Sequence, residues 1–158
     1  MNRSEVRRKI KPVAVMFSEY YFYLIAYDTD DTALKAKYFR VDRITAMTEH
    51  REHFELDKPH DFDEGDLRQR NQFMFPGEPV KVKFEFSGLS TQAILDRLPT
   101  AKVVEKNGNV SVIEAEVNNG RGLMMYLLSQ GAWVKVLSPQ SFVDEMKTEI
   151  EKMKHLYK

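Results

Sequence analysis

Two histidines and one glycine-rich turn have the residue types and spacing that metal or anion binding uses. His50 and His53 would share one face of a helix but lie on opposite faces of a strand. Because no paired carboxylate accompanies them in a recognised pattern, we expect no metal site. Residues 119–122 read Asn-Gly-Arg-Gly before a predicted helix, and their amides would suit an anion. They lack the complete phosphate-loop pattern, so we expect them only to cap the helix.

Catalytic chemistry has little support in the remaining residues. The chain contains no cysteine, which excludes thiolate zinc sites, cysteine nucleophiles and disulfides. It also has no Ser-His-Asp order and no pair of acids in a recognisable catalytic frame. We therefore predict that the protein is not an enzyme and needs no cofactor. A chain without disulfides is typical of the reducing cytoplasm, which is the location we expect.

The composition is that of an ordinary soluble globular protein. The 158 residues suffice for one compact domain or two small ones. Lysine plus arginine total 24 and aspartate plus glutamate total 24, so the net charge is zero. This balance argues against a chain that coats nucleic acid nonspecifically, although it allows a local basic patch. No apolar run approaches the roughly 20 residues that span a bilayer, so we expect no membrane partner.

The first third of the chain contains closely spaced strand patterns. An apolar stretch at 10–17 is followed by an aromatic run at 20–27 and an acidic turn at 28–31. The pattern of residues 35–43 predicts a third strand, and that of residues 46–56 predicts a fourth strand. Strands at such short spacing favour a small, strongly curved antiparallel sheet or barrel.

The aromatic run has two different faces if it is a strand. One face is a row of aromatic side chains, and the other is apolar enough for a core. The first holds Tyr21, Tyr23, Ile25 and Tyr27, and the second holds Phe22, Leu24 and Ala26. We therefore expect Phe22 in the core, where its truncation would mainly destabilise the fold.

The second half of the chain alternates strand and helix patterns. A strand at 80–86 precedes a helix whose N-cap is Ser90, and an Asn107-Gly108 turn joins the next two strands. The remaining predicted elements are a helix at 122–130 that ends at Gly131, a strand at 133–137, and a helix from 139 to about 156 with Phe142, Met146, Ile150 and Met153 at helical spacing. The order β-α-β-β-α-β-α predicts the ferredoxin-like plan with one added helix.

The segment between the two halves is rich in proline and glycine. It spans residues 58–79 and contains a short helical candidate at 64–72. We interpret it as a linker between a first domain at 1–57 and a second domain at 80–158. The predicted fold class is therefore α+β.

Five segments resemble, in chain order, motifs of the WYL family of bacterial transcription regulators. They cover about residues 8–142, and their order makes the resemblance more specific than any one of them. The segments are Arg8-Lys9-Ile10-Lys11-Pro12; residues 22–28 with Phe22 at the tryptophan position of the naming signature; residues 38–44, which include Arg40-Val41-Asp42-Arg43-Ile44; residues 72–78; and residues 127–139.

The resemblance implies a fold and a role. The fold is a small Sm-like, SH3-type β-barrel followed by a ferredoxin-like extension domain. In such regulators an N-terminal winged helix-turn-helix binds DNA and the barrel senses a ligand thought to be derived from nucleic acid. This sequence contains no helix-turn-helix pattern, and we expect that it begins inside the barrel, with the first strand missing. We therefore expect the C-terminal portion of a longer regulator that reaches promoter DNA through the absent domain.

The resemblance also implies four ligand-binding residues: Tyr23, Arg40, Arg43 and Arg8. Their chemistry is coherent, because guanidinium forks suit phosphate and a tyrosine ring offers a stacking face. Structural roles stay open: Tyr23 as half-buried packing, Arg43 as a clasp on carbonyls at the barrel end, and Asp42 as an ion-pair partner. In a regular strand Arg40 and Arg43 lie on opposite faces, so both meet one ligand only if the strand bends near Asp42.

These observations leave three functions open. The first is a ligand sensor that switches a DNA-binding domain, with a nucleotide or single-stranded nucleic acid as effector. The second is a stand-alone oligonucleotide-binding module, and the third is a small hydrolase or transferase that uses the barrel cleft. We also expect a homodimer, for which the terminal helix with Met146, Ile150 and Met153 is a plausible contact.

Overall fold

Two antiparallel sheets form the framework of the described part of the chain. The computed structural model describes residues 5–30, 35–55, 65, 70, 74, 75 and 77–157. The chain divides into two compact units, residues 1–64 and 65–158. The two sheets and the three α-helices among the described residues confirm the predicted α+β class. None of these helices is long and apolar enough to cross a membrane.

The first unit contains a three-stranded sheet in the order β1-β2-β3. Its strands are β1 (Ile10–Ser18), β2 (Tyr21–Asp28) and β3 (Ala36–Arg40). A two-residue turn joins β1 to β2, and Glu19 in it has a φ of 57°. The pairing of β1 with β2 shifts between Pro12 and Ala14, which marks a bulge.

Two strand predictions in this unit need correction. The third strand ends at Arg40 instead of continuing to residue 43, because Val41–Arg43 form a 3-10 turn closed by a hydrogen bond from Ile44 N–H to Val41 C=O. The predicted fourth strand is wrong for residues 46–55, which form no strand. Instead, this segment crosses the start of β1, where Glu52 bonds Lys9 and the Phe54 ring lies 5.8 Å from Lys11 Nζ.

The predicted core position of Phe22 is wrong in this structure. The core lies at the other end of β2, where Ile25 and Ala26 are fully buried and Tyr27 is nearly so. Phe22 is 57% exposed and contacts Phe17, which is also exposed, at a ring-centroid distance of 5.2 Å. The two faces of β2 therefore do not separate into core and solvent as alternation predicted, because burial changes along the strand.

The second unit contains a four-stranded antiparallel sheet in the order β5-β6-β4-β7. In chain order its elements are β4 (Glu78–Phe86), α1 (Thr91–Arg97), β5 (Lys102–Asn107), β6 (Val110–Asn119), α2 (Arg121–Ser129), β7 (Val134–Ser138) and α3 (Gln140–His155). Of the predicted helix candidate at 64–72, the structure describes only residues 65 and 70, and both are helical. The rest of that candidate and most of the linker lie outside the described residues.

Local sequence signals explain most of this unit. Val82, Phe84 and Phe86 alternate toward a core that α1, α2 and α3 share. Ser90 Oγ accepts a hydrogen bond from the Ala93 amide at 3.3 Å and so caps α1 as predicted. Gly108 has a φ of 61°, the left-handed conformation that the two-residue hairpin between β5 and β6 requires.

The terminal helix α3 is only half covered. Phe142 and Met146 pack into the core of the second unit, at 0% and 8% exposure. Ile150 and Met153 continue the same helical stripe but are exposed. The first half of the predicted stripe is therefore core, and the second half is an open apolar surface.

Candidate anion-binding site

Arg40 lies at the end of β3 and is held by Asp42. Its Nε donates to Asp42 Oδ1 at 3.0 Å, and its Nη2 donates to Asp42 Oδ2 at 2.7 Å. Because Val41–Arg43 leave the strand as a 3-10 turn, Asp42 folds back beside the residue that ends β3. The result is a two-point contact between a guanidinium and a carboxylate.

Two tyrosines of β2 lie next to this ion pair. The Arg40 guanidinium carbon is 3.3 Å from the centroid of the Tyr21 ring, a close cation–π contact. Tyr23 pairs with Arg40 in the β2–β3 register, so their side chains leave the sheet on the same face. Tyr21, two residues earlier, shares that face. We call Tyr21, Tyr23, Arg40 and Asp42 the tyrosine–arginine cluster.

Both members of the ion pair are fully charged near neutral pH. Hydrogen bonds to Asp42, and then to Tyr21, raise the pKa of Arg40 further above its already high ordinary value. Hydrogen bonds from Arg40 lower the pKa of Asp42, and the charges of Arg40 and Arg43 lower it further. The side chain of Arg40 is 20% exposed and that of Asp42 is 52% exposed, so solvent reaches the carboxylate more easily than the guanidinium.

Arg43 lies on the 3-10 turn beside the cluster. It is exposed, and its charge acts on Asp42. β3 does not continue beyond residue 40, so Arg43 is not fixed on the strand face opposite to that of Arg40. The bend that a shared ligand would require is therefore present at this point of the chain.

Arg8 lies apart from the tyrosine–arginine cluster. Its Nη1 donates to Asp28 Oδ2 at 2.7 Å, and Lys37 Nζ donates to the same oxygen at 3.0 Å. Asp28 is five residues from Tyr23 along β2, which is roughly 17 Å, and alternation directs it to the other face. Tyr23, Arg40 and Arg43 thus lie at one end of the sheet, and Arg8 at the other.

Asp28 is the buried centre of this second group, which we call the Asp28 cluster. Its side chain is 3% exposed, while those of Arg8 and Lys37 are 44% and 34% exposed. Hydrogen bonds from Lys37, the Asp30 amide and Arg8 lower the pKa of Asp28 to about 2. The cluster ties the segment before β1 to the end of β2, which is a structural role for Arg8.

Tyr21 and Asp28 are the two residues that sequence reasoning missed. Alternation had placed Tyr21 on the face of Tyr23, but its contact with Arg40 depends on the β2–β3 register, which the sequence alone did not supply. Asp28 belonged to an acidic run that predicted only a turn. Among the described residues no group of three histidine, cysteine or acidic side chains is arranged to hold a metal ion.

Comparisons with known proteins divide the chain in the same order as its two sheets. The WYL domain model matches residues 1–49. The WCX domain model matches residues 77–154. No curated protein sequence matches the chain.

One solved structure that the chain resembles is proteasome accessory factor B/C (PafBC) of Arthrobacter aurescens. The identity is 19% and the TM-score is 0.37, and the match covers 92% of this chain. The chain spans only 22% of the length of that protein. A TM-score this low carries no argument, so the interpretation depends on the two domain matches and on the geometry above.

Proposed function

Since the chain belongs to the WYL-domain family, we propose that it is the ligand-sensing region of a bacterial transcription regulator. The WYL and WCX matches together account for residues 1–49 and 77–154 in the order expected of such a region. We propose that the first unit belongs to an Sm-like barrel and that the second is ferredoxin-like. The order β5-β6-β4-β7 and the β-α-β-β-α-β-α sequence of elements support the second assignment.

The effector we propose is a nucleotide or a short single-stranded nucleic acid. The observation that carries this proposal is the stacked contact of Arg40 on Tyr21, with Tyr23 beside it on the same face. A guanidinium offers planar donors to a phosphate, and an exposed aromatic face accepts a base. Arg43, on the adjoining turn, adds a second positive charge to this end of the sheet.

The regulatory step we propose is a shift between conformations. An effector that binds one conformation of the regulator more tightly than another increases the population of that conformation. The change would then reach a DNA-binding domain elsewhere in the full regulator, through which promoter DNA is the second partner. This role requires a cytoplasmic protein without catalytic turnover. The exposed stripe at Ile150 and Met153 supports, as part of the proposal, a homodimer.

A binding titration with a matched control tests the proposed effector site. We would measure the fluorescence anisotropy of a labelled single-stranded DNA of about six nucleotides against the wild type, Arg40→Ala and Arg51→Ala. Arg51 is an exposed arginine of the same unit, so its loss changes the net charge equally. We expect Arg40→Ala to weaken binding by about tenfold or more, because it removes a charge-assisted hydrogen bond.

The control should bind within about twofold of the wild type, because Arg51 is an exposed charge that solvent and salt screen. Equal losses in the two arginine variants would mean that binding depends only on net charge, and the proposed site would then be wrong. Incubating the protein with the same oligonucleotide and with nucleoside triphosphates tests the alternative of an enzyme, which turnover would favour.

A further inference from the structure

We infer that Asp42 is an internal competitor for the Nε–Nη2 edge of Arg40, and that a phosphate has to displace it in order to bind that edge. This inference depends on the proposed function, because it concerns how the same site selects its ligand. The observation that motivates it is the two-point contact between the Asp42 carboxylate and the Arg40 guanidinium. A phosphate binds arginine through the same kind of paired donors.

The contact occupies one of the two paired-donor edges of the Arg40 guanidinium. Asp42 takes Nε and Nη2, with distances of 3.0 Å and 2.7 Å. An incoming phosphate that leaves Asp42 in place reaches only the outer edge of the guanidinium, which Nη1 and the second N–H of Nη2 form. To obtain the paired Nε and Nη2 donors, the phosphate must replace the carboxylate.

Arg40 itself is held in place by a second contact. Its guanidinium carbon lies 3.3 Å from the Tyr21 ring centroid, and its side chain is 20% exposed. Turning the guanidinium away from Asp42 would break the stacking with Tyr21. The exchange therefore requires movement of Asp42, whose side chain is 52% exposed and can be hydrated outside the site.

The backbone allows this movement. The 3-10 turn that carries Asp42 is closed by the Ile44 amide and the Val41 carbonyl at 3.1 Å. No side-chain atom of Asp42 takes part in that bond. The carboxylate also accepts a hydrogen bond from its own backbone amide. It can exchange this bond and the contact with Arg40 for water while the turn and the end of β3 keep their conformation.

The stacking of Arg40 on Tyr21 indicates whether Asp42 competes with the ligand for Arg40 or orients Arg40 for the ligand. If Asp42 were needed to orient Arg40, its removal would weaken ligand binding. The stacking on Tyr21 already fixes the plane of the guanidinium, and the β2–β3 register fixes its origin next to Tyr23. Removing the negative charge of Asp42 should then weaken its hold on the Nε–Nη2 edge without releasing the Arg40 side chain, and binding should become tighter.

The competition has a consequence for selectivity. The Arg40–Asp42 pair is electrically neutral, so at Arg40 an isolated small anion only replaces one anionic partner with another, and the net attraction left is that of the nearby Arg43. A ligand that also stacks on an aromatic ring has a second source of affinity. Asp42 thus raises the affinity that any ligand needs and disfavours those that offer a phosphate alone.

The experiment compares Asp42→Asn with Asp30→Asn, which removes one negative charge from an exposed turn of the same unit. The probe is a 5′-phosphorylated single-stranded DNA of about six nucleotides, titrated by anisotropy at several salt concentrations. Asp42→Asn should tighten binding by about threefold to tenfold, while Asp30→Asn stays within about twofold of the wild type. Because Arg40 is no longer neutralised internally, the slope of log K against log salt should steepen by about 0.7.

The possible results distinguish a failure of this inference from a failure of the proposed binding site. Weaker or unchanged binding by Asp42→Asn at an unchanged salt slope overturns the competitor role, provided that Arg40→Ala binds poorly. Equal tightening in Asp30→Asn also overturns it, because the effect would then be one of net charge. If Arg40→Ala binds as well as the wild type, the proposed site fails and the inference fails with it. Circular dichroism of Asp42→Asn confirms that the variant is folded.

Discussion

The two ends of β2 hold similar ionic contacts in different surroundings. At the end near Tyr21, Arg40 donates to Asp42 at 2.7 Å, and the carboxylate is 52% exposed. At the other end Arg8 donates to Asp28, also at 2.7 Å, but this carboxylate is 3% exposed and has Lys37 as a second partner. The shortest distances are the same, so the two contacts differ in the burial of the carboxylate and in the second cation, Lys37, that Asp28 binds.

An arginine–aspartate pair is exchangeable or structural according to the cost of hydrating its carboxylate. Asp28 cannot leave its partners without a buried charge becoming unpaired, which is strongly unfavourable. Asp42 can move into water, where surface ion pairs contribute little to stability. The open end of β2 is therefore suited to binding and the closed end to holding the fold together.

The largest expected effect concerns apolar burial at the two ends. Ile25→Ala should lower the free energy of unfolding by about 2–5 kcal/mol, because Ile25 is completely buried. Phe22→Ala should cost less than about 1 kcal/mol, because Phe22 is 57% exposed. Urea denaturation followed by circular dichroism measures both. The single tryptophan, Trp133, lies in the second unit and would not report on this one.

The same two variants could also show that the two ends of β2 do not differ in burial. If Phe22→Ala destabilised the protein as much as Ile25→Ala, the Phe22 end of the sheet would be covered in solution. The contrast between an open and a closed end would then be wrong for the apolar residues.

The next effect separates the two arginines that the family resemblance had grouped together. Arg8→Ala should lower the melting temperature by several degrees, because Asp28 loses one of its two cationic partners, and it should leave oligonucleotide binding within about twofold of the wild type. Arg40→Ala should do the reverse, with binding weakened by about tenfold and little change in melting temperature. Thermal unfolding and anisotropy are measured on the same preparations.

A loss of binding by Arg8→Ala at an unchanged melting temperature would contradict this separation. It would return Arg8 to the ligand site and would mean that the two ends of β2 act on one ligand.

The smallest effect is the pH dependence of the two carboxylates. The pKa of Asp28 is about 2 in the folded protein against an ordinary value of 3.8. A depressed pKa means that the ionised carboxylate stabilises the fold above pH 3.8, and that this contribution disappears as the pH falls toward 2. The melting temperature of the wild type should therefore fall over this range more steeply than that of Asp28→Asn.

Asp42→Asn is the control for the same titration. The pKa of Asp42 is also lowered by Arg40, but its carboxylate is half exposed and screened by solvent. The plot of melting temperature against pH for Asp42→Asn should run nearly parallel to that of the wild type. If Asp42→Asn flattened the curve as much as Asp28→Asn, the surface pair would be as important for stability as the buried one.

Much of the second unit could be predicted because its signals are local. The alternation in β4, the cap at Ser90 and the Asn107-Gly108 turn each depend on residues close together in the chain. The candidate site was predicted less completely. Tyr23 and Arg40 are paired across the sheet, but Tyr21 was not expected as the partner of Arg40, and Arg8 was grouped with residues from which the structure separates it.

Local periodicity, turn chemistry and motif order were enough to predict the order of the elements in the second unit, the α+β class and the membership of the WYL family. The folded structure was needed to show that β3 ends at Arg40, that Phe22 is exposed, and that Asp28 is buried while Asp42 is not. The physical reason is that strand register and burial are set by contacts between segments distant in the chain. Those contacts determine the cost of hydrating each carboxylate, and a motif of neighbouring residues does not contain that information.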